Sequence, residues 1–426
     1  MDNSAGGGLE WCQRRDGKEP RLEVREGVRS IKLAPVMGIA GLVLVCFFDT
    51  FAQFPVVAPY ARLLGAGPAL VGLVVAIYSI TNLVGNLVSG YLLDRVDRRQ
   101  VLVAGLSLAG LALFLYAGAQ TPAHLVLVRA AHGGAVSVVA PAAFAILGDR
   151  FPRGQRKAPM GASGALIALA AIVAPAISGF LRDRLGYIGV FFFVGALLLL
   201  TAAATWRLMS PTRPDHRGHS HSPAVFLALL NRPSLLVAYL AGTVLTFGLG
   251  SLVGYLPLHM ADLGFGGAQT GLALSAFAVV AMVAMLSPLS RLGGDGTRLL
   301  TASAGLLLVA LALFFLPLSS GLQAIWASMA LYGLGFGLIF PAANARVADA
   351  TDYGERGAAF GLFYAFWSVG VILGSSVSGL AVEQGMPLSP FHLAAALAVP
   401  SALVVALTAP APAAETAPTR LPDCGG

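Results

Sequence analysis

Gly90-Tyr-Leu-Leu-Asp94-Arg95-Val-Asp97-Arg98-Arg99 is a short basic turn set between two long apolar runs. Two hydrophobic segments joined by a tight, Gly-led, arginine-rich connection are a feature of membrane proteins. Lys and Arg are retained on the cytoplasmic face of a bilayer, so Arg95, Arg98 and Arg99 predict which side this turn faces. Gly90 at a helix end permits close backbone approach. Asp94 is placed either to cap a neighbouring helix N-terminus or to pair with a cationic group.

Composition agrees with that reading. The 426 residues are 57% hydrophobic and 11% charged, with a mean hydropathy of +0.79. Soluble domains carry about 25% charged residues. Cys12, Cys46 and Cys424 are too few and too scattered for a disulfide framework or a metal cluster. The net charge of +7 is spread over many short loops, which reads as membrane topology and not as a nucleic-acid partner. Residues 1–33 lack the apolar core of a signal peptide, so the first span is expected to act as its own insertion signal. No Walker loop, zinc-helix motif or nucleophile elbow is present, and neither an ATP-driven pump nor a membrane hydrolase is expected.

A spanning helix needs about 20 apolar residues. Twelve such segments occur, at 34–60, 68–92, 100–120, 123–148, 160–181, 187–207, 234–257, 268–290, 298–318, 322–346, 358–382 and 390–410. Of the 27 Lys and Arg, Arg62, Arg182 and Arg184 fall in outer loops and Arg129 in a span. The others fall in the two tails and on the opposite side, which predicts that both termini are cytoplasmic. Residues 1–33 form a polar tail, 207–233 a Pro-containing linker between six-helix halves (34–206 and 234–410), and 411–426 a disordered tail.

The halves are repeats. Residues 133–179 align without gaps onto residues 200 positions later. Pro141-Ala142-Ala143 matches Pro341-Ala342-Ala343, Asp149 matches Asp349, Arg156 matches Arg356, and Ser178-Gly179 matches Ser378-Gly379. The Leu92 turn has a weaker counterpart at Leu292-Gly293-Gly294-Asp295. The expected fold is therefore an all-α integral membrane protein of twelve helices in two six-helix pseudo-repeat bundles.

The pattern G-x-L-x-D-R-x-x-R-R over Gly90 to Arg99 resembles the loop signature of major facilitator superfamily transporters, with Asp97 where that family usually has a small residue. Arg129-Ala-Ala-His132-Gly133 resembles the family's helix-4 signature R-x-x-Q-G, with His in place of Gln. Ala174-Pro175-Ala-Ile-Ser178-Gly179 resembles its antiporter signature in helix 5, with three glycines replaced by Ala or Ser. The resemblance covers roughly residues 34–410 and is greatest to the twelve-helix bacterial drug/proton antiporters. It implies alternating access between two bundles, with an arginine at position 129 linked to proton coupling.

Ionisable groups inside the bilayer cost at least ~2.5–3.5 kcal/mol on insertion scales, so each is a functional candidate. The first half has Asp49 and Arg129. Counting from the span ends, Asp49 lies about 13 Å and Arg129 about 9 Å below the outer surface. Burial favours the neutral carboxyl and a cation favours the carboxylate, so a proton on Asp49 can respond to conformation or substrate. The alternative is a fixed buried ion pair that locks two helices together. His132 is either a second titratable group or a neutral core histidine.

Gln53, Tyr78, Asn82 and Asn86 from the first half, with Thr243, Thr246, Tyr255, Asn344, Tyr364 and Trp367 from the second, are candidates for a substrate cavity with an apolar, aromatic wall. Plain helix packing is the competing account of each. Pro55 and Pro59 predict a kink in the first span. Asp149, Arg156, Asp349 and Arg356 are candidates for cytoplasmic gate pairs or for solvated loops. His216, His219 and His221 fall in a Pro-containing linker without a cysteine, and no metal site is expected. The function expected is proton-coupled export of small lipophilic or cationic compounds through the plasma membrane by a monomer, with the proton as coupling ion and no cofactor. Import or facilitated passage of a metabolite or organic anion, with Arg129 as anchor, and a sensor or lipid-translocating role stay open.

Overall fold

The computed structural model describes residues 33–150, 157–211, 223–288, 295–352 and 355–408. Every regular element among them is helical. The chain begins with α1 (Leu33–Ala52) and α2 (Val57–Leu63), which share one span. Pro55 has no N–H to continue the ladder, and the turn closes instead through Val56 N and Val57 N donating to Gln53 O at 3.1 and 3.0 Å. The kink expected from the two prolines is therefore a full break in the helix.

α3 (Pro68–Leu93), α4 (Arg98–Leu115), α5 (Pro122–Val136) and α6 (Val139–Arg150) follow. Proline at the first position starts α3 and α5, where a missing N–H costs nothing. Asp97 is the N-cap of α4, its Oδ1 accepting from Arg99 N at 2.9 Å. The residue that departs from the family pattern thus has a local structural purpose. Asp94 is exposed at the C-cap of α3, and its side chain caps no helix and pairs with no cation among the described residues.

α7 (Lys157–Leu208) runs for 52 residues. At 1.5 Å per residue that is about 78 Å, more than twice the hydrocarbon thickness of a bilayer. It turns at Gly186, whose φ of 72° is a left-handed conformation open to glycine, so α7 supplies two spans. The second half holds α8 (Pro223–Leu230), α9 (Pro233–Asp262), α10 (Gly267–Leu286), α11 (Asp295–Phe315), α12 (Leu322–Asp349), α13 (Arg356–Glu383) and α14 (Pro390–Leu407). Among the described residues eleven helical stretches are long and apolar enough to span, and the Gly186 turn divides one of them to make twelve spans.

Part of the stretch read as linker is the helix α8. Its Leu229 is fully buried against Leu235, Ala343, Val347 and Ala358 of the second half, which outweighs the proline content that suggested a loose connection. His216, His219 and His221, the tails 1–32 and 409–426, Arg156 and the side chain of Asp149 lie outside the described residues.

The halves meet along two seams, α3 with α13 and α7 with α10. Both seams close at the ends of the bundle away from Arg95, Arg99, Arg232 and Arg298, here called the far face. There Tyr255 Oη of α9 donates to Pro68 O of α3 at 2.9 Å, and Ser275 Oγ of α10 donates to Ile172 O of α7. Toward the basic face the described ion pairs stay within one half: Arg232–Glu355 and Arg298–Asp349 both belong to the second. Near the basic-face end of α3, Asn86, Leu87 (77% exposed) and Val88 are exposed, as is Tyr364 (50%) on α13, and among the described residues no side-chain hydrogen bond or ion pair joins the halves there. The molecule is shut on the far face and open on the basic face.

Candidate functional site

Asp49 ends up in a closed polar cluster inside the first half. It is 1% exposed, His132 is 0% and Arg129 is 4%. α1 and the long α7 pack around it, α3 supplies Tyr78, α5 supplies Arg129 and His132, and a 3-10 turn after α4 supplies Tyr116. Arg129 and His132 are three apart on α5, so they share one helix face. Gly133 lets α5 approach α3, since a Cβ there would stand 2.5 Å from Tyr78 O.

The connectivity differs from a direct Asp49–Arg129 pair. His132 Nε2 lies 3.2 Å from Asp49 Oδ2, and His132 Nδ1 lies 3.2 Å from Tyr116 Oη. Arg129 donates to Tyr116 Oη at 3.2 Å and sits over the Tyr78 ring at 4.3 Å. Gln53 Nε2 donates to Asp49 Oδ1 at 3.4 Å, and Tyr78 Oη meets Thr50 Oγ1 at 3.3 Å. The order is Asp49, His132, Tyr116, Arg129. No carboxylate among the described residues pairs with Arg129 directly.

The His132–Asp49 approach is close but not aligned as a hydrogen bond. Asp49 Oδ2, His132 Nε2, Gln53 Oε1 and Arg129 Nε are all buried without a hydrogen-bond partner. Buried polar atoms in folded proteins are almost always satisfied, so four orphans in one cluster mark a site that holds spare bonding capacity. A proton placed between Asp49 and His132 would use two of them.

The cavity candidates divide. Gln53 and Tyr78 belong to the buried cluster. Asn82 donates to Gly133 O at 3.4 Å and Asn86 to Asn82 Oδ1 at 3.0 Å, which leaves Asn86 on the open basic-face cleft. In this conformation Thr243, Thr246 and Asn344 bond backbone carbonyls of the second half, and Tyr255 bonds across the far-face seam. Tyr364 is exposed. Trp367 packs against Phe336, Phe340 and Phe363 with ring centroids 5.8, 5.4 and 6.0 Å away, an aromatic wall with no charge among its members.

The helix-5 signature residues lie on the α7–α10 seam: Ala174 is fully buried, Ser178 Oγ donates to Pro175 O at 3.3 Å, and Gly179 faces Gly267. Gly90 is exposed. Arg95 stacks on Tyr91 at 3.5 Å and Arg99 on Trp206 at 4.3 Å, while Arg98 begins α4. Arg356 donates to Ala348 O at 2.9 Å, so it closes the α12–α13 turn.

Tyr116 was not among the sequence candidates, although it bridges the histidine and the arginine. It falls at the far end of a span in a 3-10 turn, and nothing local distinguishes it from the interfacial tyrosines common there.

A sequence profile of the major facilitator superfamily matches residues 39–353 and again 296–421. Multidrug resistance protein 1 of Bacillus subtilis is 23% identical over 86% of this chain and 94% of its own length. Quinolone resistance protein NorA of Staphylococcus aureus is 23% identical over 85% of this chain and 95% of its own. Among solved structures, an inward-facing bacterial homologue of the human lysosomal transporter Spinster superposes with a TM-score of 0.72 at 14% identity, covering 90% of this chain and 96% of that one. The nucleoside transporter NupG gives 0.68 at 18% identity, covering 87% and 97%.

Proposed function

This chain belongs to the major facilitator superfamily, and on that premise we propose that it exports small lipophilic or cationic compounds across the plasma membrane in exchange for protons. The observation that carries the reading is Asp49, a carboxyl buried in the first half beside a histidine that faces it without a completed hydrogen bond. Burying a charge without full compensation is costly, and such a group earns its place in a membrane by changing its charge. The two relatives named for drug resistance support the substrate class. The likeness to Spinster and nucleoside transporters speaks for the fold alone.

The arginine distribution orients the basic face to the cytoplasm. The open cleft then admits substrate from the cytoplasm, and the uncharged wall around Trp367 suits a lipophilic one. Asp49 and His132 lie below the far-face ends of the bundle, so a proton arriving from outside reaches them once the closed seams part. A proton taken up between Asp49 Oδ2 and His132 Nε2 completes that contact and changes how firmly α1 is tied to α5. Return to the cytoplasm-open state releases the proton inward. Arg129 as a substrate anchor is the weaker alternative, because its guanidinium is buried under Tyr78 and already bonded to Tyr116.

The test uses inside-out vesicles with an acidified interior and a pH-sensitive dye. Lipophilic cations, neutral drugs and organic anions are added in turn. A lipophilic compound should collapse the gradient with the native protein and fail with Asp49→Asn. Equal collapse with Asp49→Asn, or equilibration of labelled metabolites with no effect on the gradient, would overturn the proposal.

A further inference from the structure

Two carboxylates on the outer face each cap the first turn of a helix in the opposite half. Asp183, in α7 just before its Gly186 turn, accepts from Gly267 N at 2.7 Å and from Ala268 N at 2.8 Å, the first donors of α10. Glu383, the last residue of α13, accepts from Ala69 N at 2.8 Å in the first turn of α3. The first four N–H groups of any helix have no partner within it and carry the positive end of the helix dipole, which is why a carboxylate is held there. In both places the donor helix and the carboxylate come from different bundles.

The arrangement follows the internal repeat. Positions 183 and 383 are related by the 200-residue offset of the sequence repeat, and so are Gly67 and Gly267 at the starts of the two capped helices. Between the two caps, Arg62 donates to Asp262 at 2.8 Å, and these positions are also repeat mates. Contact between repeat mates places that pair on the pseudo-two-fold axis, with one cap on either side of it. A glycine lies beside each carboxylate: a Cβ at Gly267 would stand 2.8 Å from Asp183 Oδ1 and 2.6 Å from the main-chain Gly179 O, while one at Gly67 would stand 3.2 Å from Glu383 Oε2, a contact that side chain relieves by a few tenths of an ångström. Among the described residues the basic face has no such exchange between halves.

We propose that Asp183 and Glu383 form a symmetric latch that holds the outer gate shut by exchanging helix caps between the two bundles, with Arg62–Asp262 as its central pin. Opening outward uncaps α3 and α10 together and returns their N–H groups to water. Each cap therefore weights the closed state by what a carboxylate cap is worth over water. This inference rests on movement of the two halves and not on protons or substrate, so it stands or falls independently of the exchange reaction proposed for Asp49.

The test is the rate at which a water-soluble maleimide modifies a cysteine introduced as Ser275→Cys, in full-length protein in nanodiscs at pH 7.5 without substrate. Cys12, Cys46 and Cys424 are replaced beforehand. Ser275 is buried in the α7–α10 seam and its side chain reaches Ile172 O of the opposite half, so its modification reports opening. Asp183→Ala and Glu383→Ala should each speed labelling by ~2- to 30-fold, the range expected for loss of a helix cap, and their effects should multiply in the double variant. Asp183→Asn and Glu383→Gln, which keep an acceptor, should give smaller increases. Arg184→Ala is the control, since Arg184 packs over Phe180 outside the latch. Unchanged labelling in the double variant, with or without a fall in melting temperature, would mean the carboxylates are only structural caps and would overturn the proposal. An effect of one carboxylate and not the other would overturn the symmetry.

Discussion

Substituting Gly271 by alanine should push the transporter toward a state open at the far face. Along the α7–α10 seam the backbones touch directly: a Cβ at Gly271 would stand 2.1 Å from Pro175 O, and one at Gly179 would stand 2.1 Å from Gly267 O. Real Cβ atoms essentially never come closer than 3.0 Å. The obstacle is main chain on a rigid helix, so no side chain can rotate out of the way and the helices must part by close to an ångström. Overpacking of this kind costs about 1–3 kcal/mol. The penalty exists only while the seam is closed, so it appears as a shift of the conformational equilibrium by about 5- to 150-fold. Spin labels on Gln120→Cys and Ser320→Cys, exposed repeat mates on the two outer loops, read the separation of the halves by pulsed electron resonance. Gly271→Ala should move the distance distribution toward longer values, while Gly164→Ala, on the same α7 with nothing within 4 Å of the added carbon, should leave it alone. A folded Gly271→Ala protein with the native distribution would refute the view that this contact belongs to the closed state alone.

His132→Phe keeps the shape of the ring but removes both nitrogens, leaving Asp49 without its facing group and Tyr116 with one partner fewer. It should lower stability by about 1–3 kcal/mol, the cost of stranding a buried polar group, seen as a lower melting temperature, with His132→Gln falling between the two. At the basic face, the Arg232 guanidinium donates to both oxygens of Glu355 and holds its carboxyl below the usual value of 4.5. A lowered acid contributes stability that is present above its unfolded value and is lost as pH falls through the folded one. The melting-temperature difference between native protein and Glu355→Gln should therefore be present at neutral pH and should shrink below about pH 4.5; a constant difference down to strong acid would count against the pair.

The spans were legible because a bilayer imposes one requirement, about 20 apolar residues with their backbone bonded internally. The halves were legible because Pro141, Asp149 and Ser178 have mates at a constant offset. Asp49 and Arg129 stood out as ionisable groups at similar depth, and they do fall in one cluster. The path between them was not legible, because the rotation of α5 that turns His132 toward Asp49 is set by Gly133 against Tyr78 and by packing around α7. Asp183 and Glu383 were equally hidden. In sequence they are loop carboxylates at span ends, and their partners are backbone N–H groups, which carry no residue signature.

The repeat also separates the work of the two halves. Under the 200-residue offset, Asp49, Gln53, Tyr116, Arg129 and His132 fall on Leu249, Val253, Leu316, Met329 and Tyr332. Each polar member of the first cluster but one meets an apolar counterpart, and the exception, Tyr332, donates its hydroxyl to Leu245 O within its own half. Helix packing is conserved between the halves to the level of paired gate contacts, so the loss of charge is not a change of fold. A twofold copy of the acid cluster would place two desolvation penalties in one molecule. Keeping one leaves the second half free to present the aromatic wall of Phe336, Phe340 and Trp367 to the shared cleft. On the far face the halves are joined by the exchanged helix caps about Arg62 and Asp262, contacts that a rigid-body movement of one half against the other must break together.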